Sequence, residues 1–405
     1  MRFLFYSSDG MGLGHVRRHL AIASALAEMS PKVKVLMATS VDEVCRLGLP
    51  PNVDTLKLPG LRKVANDQYN SRRLGLPTDE IRALRSDLLH QTVLSFRPPV
   101  VLVDKNPFGA SGEFSMALRA VRSSGGRAVL GLRDILDDSA TVRREWPGES
   151  VQERIADHYD LVLIYGSPHT FDPIEQYQLV RALRERMTYC GYVVNQSEWG
   201  WTAEGAPLLL EREPGRPPIV LGTTGGGEDG FTLLKTFVHA SAGAPWEAIA
   251  IAGPMLSQQE LSTLQRLASD SGVRLHTFIP CLSNLFSKVD GLVCMGGYNT
   301  LVEALSQGVP TVCVPRSAPR SEQLLRAQLF ERLGLLRCIH PEQLTAEKLR
   351  YELTAVLEMS RAQIRQRASV ALEFDGARRA AGHLLGLLTS AEQTRKVRFE
   401  RTVSR

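Results

Sequence analysis

Short apolar runs rich in Val, Ile and Leu recur along this chain, separated by stretches with helical spacing. That alternation restricts the fold more than any other feature of the sequence. In the first half the runs are Arg2–Ser8, Val33–Ser40, Val53–Pro59, Val100–Asp104, Arg127–Arg133, Leu161–Gly166 and Met187–Val193. In the second they are Ile219–Thr224, Glu247–Ala252, Arg274–Phe278, Gly291–Met295, Thr311–Pro315 and Leu336–Ile339. Helical patterns fall between several of them, as at His15–Met29, Thr78–Leu94, Thr300–Gln307 and Arg320–Leu333. Strands that read as near-continuous apolar runs are covered on both faces, as in a parallel sheet. Strand–helix alternation of this kind builds doubly wound α/β sheets.

A chain of 405 residues is long for one core and suits two. Between the two series lies a stretch with Trp199-Gly200-Trp201 and Pro214-Gly215-Arg216, which reads as a linker. The expected division is a domain at 1–195, a linker at 196–216, a domain at 217–375, and a final helix with a basic tail at 376–405 that returns to the first domain. Two Rossmann-like domains so joined face each other across a cleft. Ligands of such sheets bind beyond the carboxyl ends of the strands.

Composition narrows the function classes. The apolar start Met1–Tyr6 stops at Ser7 and Asp9, too short for a signal peptide, and no stretch approaches a membrane span. The expectation is a soluble, cytoplasmic protein. The six cysteines (Cys45, Cys190, Cys281, Cys294, Cys313 and Cys338) form no Cys-x-x-Cys and read as buried free thiols. The formal charge of +5 is modest, and no nucleic-acid motif stands out. Part of it lies in the tail, where Arg395, Lys396, Arg398, Arg401 and Arg405 face the single acid Glu400. This tail is either a solvated terminus or a peripheral contact to an acidic surface such as a membrane.

Three loops carry the candidate chemistry. The first, Asp9-Gly10-Met11-Gly12-Leu13-Gly14-His15, follows the first strand and opens a helix. It departs from the dinucleotide fingerprint, because His15 takes the place of the last glycine and the second strand ends in Ala38-Thr39-Ser40 without an acid. His15 is a candidate general base, since a helix N-terminus disfavours the imidazolium and the ring can take a proton from a hydroxyl. It equally suits a capping or packing group. Arg17, Arg18 and His19 follow, either to meet an anionic acceptor or as surface charge. Asp104, which closes another strand, can hold the imidazole tautomer; Asp9 and Asp134 compete for that role.

The second loop, Gly222-Thr223-Thr224-Gly225-Gly226-Gly227, lies between a strand and a helix. Its backbone N–H groups can cradle phosphate, and it lacks the Gly-Lys-Ser/Thr of an ATP-binding loop. The third runs Met295-Gly296-Gly297-Tyr298-Asn299-Thr300 and continues through Glu303 to Arg316 and Ser321-Glu322-Gln323. A strand ends in glycines, a helix begins, and polar side chains that can bind ribose and sugar hydroxyls follow.

This third segment resembles the C-terminal domain of glycosyltransferase family 28, a family that includes the lipid II-forming N-acetylglucosaminyltransferase. The resemblance is strongest over about 217–335. It implies the GT-B fold, an inverting transfer, and a nucleoside diphosphate sugar as donor, UDP first. It further implies that Gly296, Gly297, Asn299 and Thr300 lie at the diphosphate, Glu303 at the ribose, and Glu322 with Gln323 at the sugar. Ile279 matches a position whose backbone reads the base, and Thr223, Thr224, Gly225 and Gly226 match a second glycine loop. Gly14 and His15 match an N-terminal Gly-His. The stretches Asp104-Lys105-Asn106-Pro107-Phe108-Gly109 and Gly131-Leu132-Arg133-Asp134 are similar to a bacterial group of predicted glycosyltransferases. The acceptor remains a small molecule or a glycolipid.

No Asp-x-Asp pair occurs in the sequence, and no His/Cys cluster has zinc spacing. The expectation is therefore no metal and no cofactor beyond the co-substrate, with helix N-termini and Arg316 meeting the diphosphate. A nucleotide-sugar hydrolase on the same fold and a non-catalytic nucleotide-sugar-binding protein stand as the alternatives.

Overall fold

The computed structural model describes residues 1–8, 13–65, 68–146, 148–195, 215–226, 229–279 and 281–388. The first half contributes β1 (Arg2–Ser7), β2 (Lys34–Thr39), β3 (Val53–Lys57), β4 (Leu61–Ala65), β5 (Gln68–Ser71), β6 (Val100–Asp104), β7 (Arg127–Arg133), β8 (Leu161–Tyr165) and β9 (Met187–Tyr189). The second contributes β10 (Ile219–Thr223), β11 (Glu247–Ile251), β12 (Arg274–His276), β13 (Gly291–Cys294), β14 (Thr311–Cys313) and β15 (Arg337–Cys338). Every apolar run read from the sequence holds a strand, in most cases trimmed where the chain turns into a loop.

Two parallel sheets result. One has the order β3-β2-β1-β6-β7-β8-β9, the other β12-β11-β10-β13-β14-β15. In each, the winding direction reverses beside the first strand, between β1 and β6 and between β10 and β13. A doubly wound sheet opens a crevice at such a point, because the loops on either side lead away to opposite faces. Register sets Ser7 beside Asp104 at one point and Thr223 beside Cys294 at the other. All residues of β6 and β10 are buried, as expected for strands covered on both faces.

The antiparallel pair β4-β5 belongs to neither sheet. Its sequence, with Arg62, Lys63 and Gln68 among few apolar residues, lacks the run that marks the other strands. Leu61 and Tyr69 pack with Ile81 and Ala110 in a small cluster of their own.

Most of the expected linker, 196–214, lies outside the described residues, and so does the basic tail. A last helix spans 376–388 and buries Ala380, Ala381, Leu384 and Leu388. Just before it the chain meets the first half: Tyr192 N donates to Glu373 O at 2.8 Å and Gly376 N to Tyr192 O at 3.1 Å. Ala377 and Arg378 then line a cavity with Ala21 and Ala25 of the Gly14–Met29 helix. Cys190, Cys294 and Cys313 are buried free thiols; Cys281 and Cys338 are only half-buried. The Cys45 side chain lies outside those described. Among the described residues no helix is long and apolar enough to cross a membrane.

Candidate active site

A cleft of about 210 Å³ opens between the two sheets at both reversal points. Gly14 and His15 line it from the first half. Both stand at the start of the Gly14–Met29 helix, directly after β1. Asp9 and the glycines 10 and 12 of this loop lie outside the described residues.

Behind His15 sits Asp104, at the end of the neighbouring strand β6 and fully buried. Its Oδ2 lies 3.3 Å from His15 Nδ1 and accepts Arg18 Nε at 3.1 Å and Nη2 at 2.6 Å. Burial pushes the Asp104 carboxyl up, but Arg18, then His15 and His19, outweigh it and hold the group far below the ordinary carboxylate range. Arg18 Nη2 also stands 3.0 Å from His15 Nδ1. The two neighbours make opposite demands on that nitrogen. Facing Asp104 it carries the proton, and Nε2 keeps a lone pair. Facing Arg18, which only donates, it must supply the lone pair itself. Only the first arrangement leaves Nε2 able to take up a proton.

Asp134, the other described candidate for that partnership, is committed elsewhere. Its carboxylate receives Arg326 Nη2 at 2.6 Å and Nε at 2.9 Å, both side chains fully buried. Of Arg17, Arg18 and His19, the first two line the cleft and His19 does not. Arg17 pairs with Glu303 across the cleft, Arg18 is buried on Asp104, and His19 is buried against Phe5.

From the second half, Thr223, Thr224, Gly225 and Gly226 line the cleft after β10. Gly225 adopts φ +68°, a left-handed conformation that glycine reaches without strain. Thr224 Oγ1 ties the turn to Ala252 O at 3.0 Å. The neighbouring Gly253 has φ +89°, and a Cβ there would stand 2.6 Å from Gly225 O. Absence of a side chain at 253 is therefore what lets the phosphate-type turn sit where it does.

The Tyr298–Ser306 helix begins at the same level, after β13. Gly297, Tyr298, Asn299 and Thr300 line the cleft. The first N–H groups of a helix have no partner within it and carry its positive end. Ile279 lines the cleft too, as do Arg316, Glu322 and Gln323. Arg316 bridges Asp229 and Glu322, each at 3.1 Å, and its own N–H donates to Gln323 Oε1 at 3.1 Å. Burial raises the Glu322 carboxyl, yet Arg133, Arg316 and Lys105 bring it down to about 2. Two of the expected donor residues stand apart. Gly296 does not line the cleft; it packs on Gln323, where a Cβ would come within 2.7 Å of the backbone oxygen. Glu303 does not line it either. Its carboxylate is 4% exposed and occupied by Arg17, and burial raises its pKa against the pull of that cation.

Residues 226–380 match the glycosyltransferase family 28 C-terminal domain. The UDP-N-acetylglucosamine--N-acetylmuramyl-(pentapeptide) pyrophosphoryl-undecaprenol N-acetylglucosamine transferase of Anaplasma marginale is 29% identical over 165 residues, which are 38% of this chain and 46% of that protein. The demethyllactenocin mycarosyltransferase of Streptomyces fradiae is 30% identical over 151 residues, 37% of this chain and 29% of the other. The matched segments thus span less than half of either relative. In three dimensions the likeness extends over nearly the whole chain: the glycosyltransferase SnogD from Streptomyces nogalater superposes with a TM-score of 0.61 over 96% of this chain and 100% of its own, at 21% identity. This chain has the GT-B fold, and its second half is similar to the family 28 C-terminal domain.

In this GT-B chain the two domains are stitched together in part by Tyr298 and Arg320, to which sequence reading assigned no role. Tyr298 donates its hydroxyl to Tyr165 O at 3.0 Å and accepts Val193 N at 2.8 Å. Its ring lies between the guanidinium groups of Arg18 and Arg326, 5.3 and 5.6 Å from the centroid. Arg320 reaches Asp137 at 3.1 Å and also pairs with Glu145. Asn299 donates to Gly14 O at 2.9 Å, joining the first and third glycine loops directly. The only local hint of this stitching is Gly131-Leu132-Arg133-Asp134, whose charged end follows an apolar strand.

Proposed function

We propose that this chain is a glycosyltransferase that takes a sugar from a nucleoside diphosphate donor, UDP first among the bases, and passes it to an acceptor hydroxyl. The reading rests on one observation: a histidine with a buried carboxylate behind it, a glycine turn after a strand and a glycine-led helix start share a single cleft. Backbone N–H groups of the Gly225–Gly226 turn, where that of Gly225 donates to Thr223 Oγ1 at 3.3 Å, and of the helix start at Gly297–Thr300 suit a diphosphate, whose negative charge grows as it departs. The family 28 domain supports the same assignment.

The transfer is direct and inverting. Nδ1–H of His15 faces Asp104, so Nε2 accepts the proton of the acceptor hydroxyl. The acceptor oxygen bonds to the anomeric carbon while the bond from that carbon to the diphosphate oxygen breaks on the opposite face. The nucleoside diphosphate leaves with the electron pair. Asp104 stabilises the imidazolium that forms. Helix N-termini and Arg316 supply positive potential at the diphosphate, so the scheme invokes no metal ion. Glu322 and Gln323 hold sugar hydroxyls, Ile279 lies at the base, and Glu303 reaches the ribose once Arg17 gives way. The acceptor is a hydroxyl of a small molecule or a glycolipid, bound on the first domain.

A thermal-shift screen against UDP-, dTDP- and GDP-sugars tests this. A ligand at about 100 times its Kd adds about 2.7 kcal/mol, or roughly 5–10 °C for a domain of this size. No shift with any nucleotide sugar contradicts the proposal. Release of free sugar at the same rate with and without acceptor makes the chain a hydrolase instead.

A further inference from the structure

One guanidinium on the first-domain wall of the cleft is poorly matched by its surroundings. Arg133 ends β7 and lines the cleft opposite the glycine turns. The carboxylate it approaches across the domains is Glu322, at 3.9 Å from Oε1, beyond hydrogen-bond reach. That oxygen already accepts Arg316 Nη2 at 3.1 Å. Arg133 Nε is buried without a hydrogen-bond partner, and so are Arg316 Nε and Glu322 Oε2. Two donors and one acceptor thus stand unanswered around one corner of one cleft. Buried polar atoms are almost always paired, and orphans grouped at a site call for a ligand. Burial, together with the nearby cations Arg326 and Arg18, disfavours the charge on Arg133, so an incoming anion relieves it.

The complementary ligand offers an oxyanion to Arg133 and a hydroxyl to Glu322 Oε2. Both features belong to a sugar diphosphate, or to a sugar that bears a carboxylate. We propose that Arg133 binds an oxyanion of the donor, either on its diphosphate or on its sugar, and so completes the donor site from the opposite domain. This rests on the nucleotide-sugar reading above. It makes full donor affinity a property of the closed cleft, since the residue lies on the first domain and the glycine turns on the second.

Calorimetry with uridine, UDP, UDP-glucose and UDP-glucuronate, on the full chain and on Arg133→Gln and Arg133→Lys, tests it. A charge-assisted hydrogen bond is expected to contribute about 10- to 100-fold in affinity. If the oxyanion is a phosphate, Arg133→Gln loses that factor for UDP but not for uridine, and Arg133→Lys recovers part of it. If it is a sugar carboxylate, the wild-type chain prefers UDP-glucuronate to UDP-glucose, Arg133→Gln erases the preference, and UDP itself binds unchanged. A purely structural Arg133 would lower the melting temperature and leave both the ratio of UDP to uridine affinity and the ratio of UDP-glucuronate to UDP-glucose affinity intact, which overturns the proposal. Should Arg133→Gln fail to fold, Arg133→Lys decides alone: ratios identical to wild type for every ligand also overturn it. Wild-type failure to bind any of these ligands or their dTDP counterparts instead removes the nucleotide-sugar reading on which the proposal stands.

Discussion

Asp104 is the residue whose loss should separate catalysis from stability most cleanly. In Asp104→Asn, Arg18 keeps its charge but loses its counter-ion. Its side chain is 1% exposed and cannot recover that interaction from water. Breaking a buried pair from one side costs about 3–5 kcal/mol, and a domain of this size melts about 2–4 °C lower per kcal/mol. The expected fall is roughly 10 °C. Turnover should fall too, because His15 Nδ1 then faces Arg18 as its only charged neighbour and Nε2 takes the proton; about 10²- to 10⁴-fold is the usual worth of a general base. The double variant Arg18→Met/Asp104→Val separates the two effects. With both charges gone no buried ion is orphaned, so most of the melting temperature should return. Turnover should not, since nothing holds the imidazole tautomer. Scanning calorimetry and steady-state rates on the three proteins suffice. A double variant as unstable as Asp104→Asn, or an Asp104→Asn chain turning over at the wild-type rate, refutes the reasoning.

Three other outcomes follow from the same geometry. His15→Ala should lower kcat about 10²- to 10⁴-fold and leave the calorimetric Kd for UDP within about threefold; lost UDP binding would remove His15 from the base role. Gly253→Ala introduces a side chain at φ +89° against Gly225. It should strain the turn by about 1–3 kcal/mol and weaken UDP binding, with unchanged affinity refuting the packing argument. His19 is buried, and that burial chiefly, with Arg18 and His15 against Asp104, lowers its pKa from 6.5 to about 4. Above the unfolded value both states are neutral. Between about 6.5 and 4 the unfolded chain binds a proton that the folded chain refuses, so stability should fall with pH across that window by up to about 3 kcal/mol. Denaturant midpoints for the wild type and His19→Leu test this; equal slopes would contradict it.

Much of the scaffold was legible because parallel strands must be apolar on both sides, so each announces itself as a run, from Phe3–Tyr6 to Val312–Cys313. The β4-β5 pair was not, since Arg62, Lys63 and Gln68 give it no such run. The glycine loops were legible for a related reason: strand, turn and helix start are contiguous, and their chemistry resides in the backbone. What contiguity cannot convey is pairing at long range. Asp104 had Asp9 and Asp134 as competitors beside His15; strand order put β6 next to β1 and Asp134 pairs with Arg326 instead, while Asp9 lies outside the described residues. Arg17 read equally as an acceptor contact or as surface charge because its partner, Glu303, lies 286 residues away. Long separations likewise hid Arg133 and Tyr298, whose contacts join the two domains.

Amide hydrogen exchange on the chain with and without UDP probes the gripping backbone most directly. Exchange at 225–226 and 298–300 should slow markedly with UDP and hardly at all with uridine, because the N–H groups there meet the two phosphates. Equal protection by uridine, or no change at those amides while UDP is bound, would mean that the diphosphate is held elsewhere.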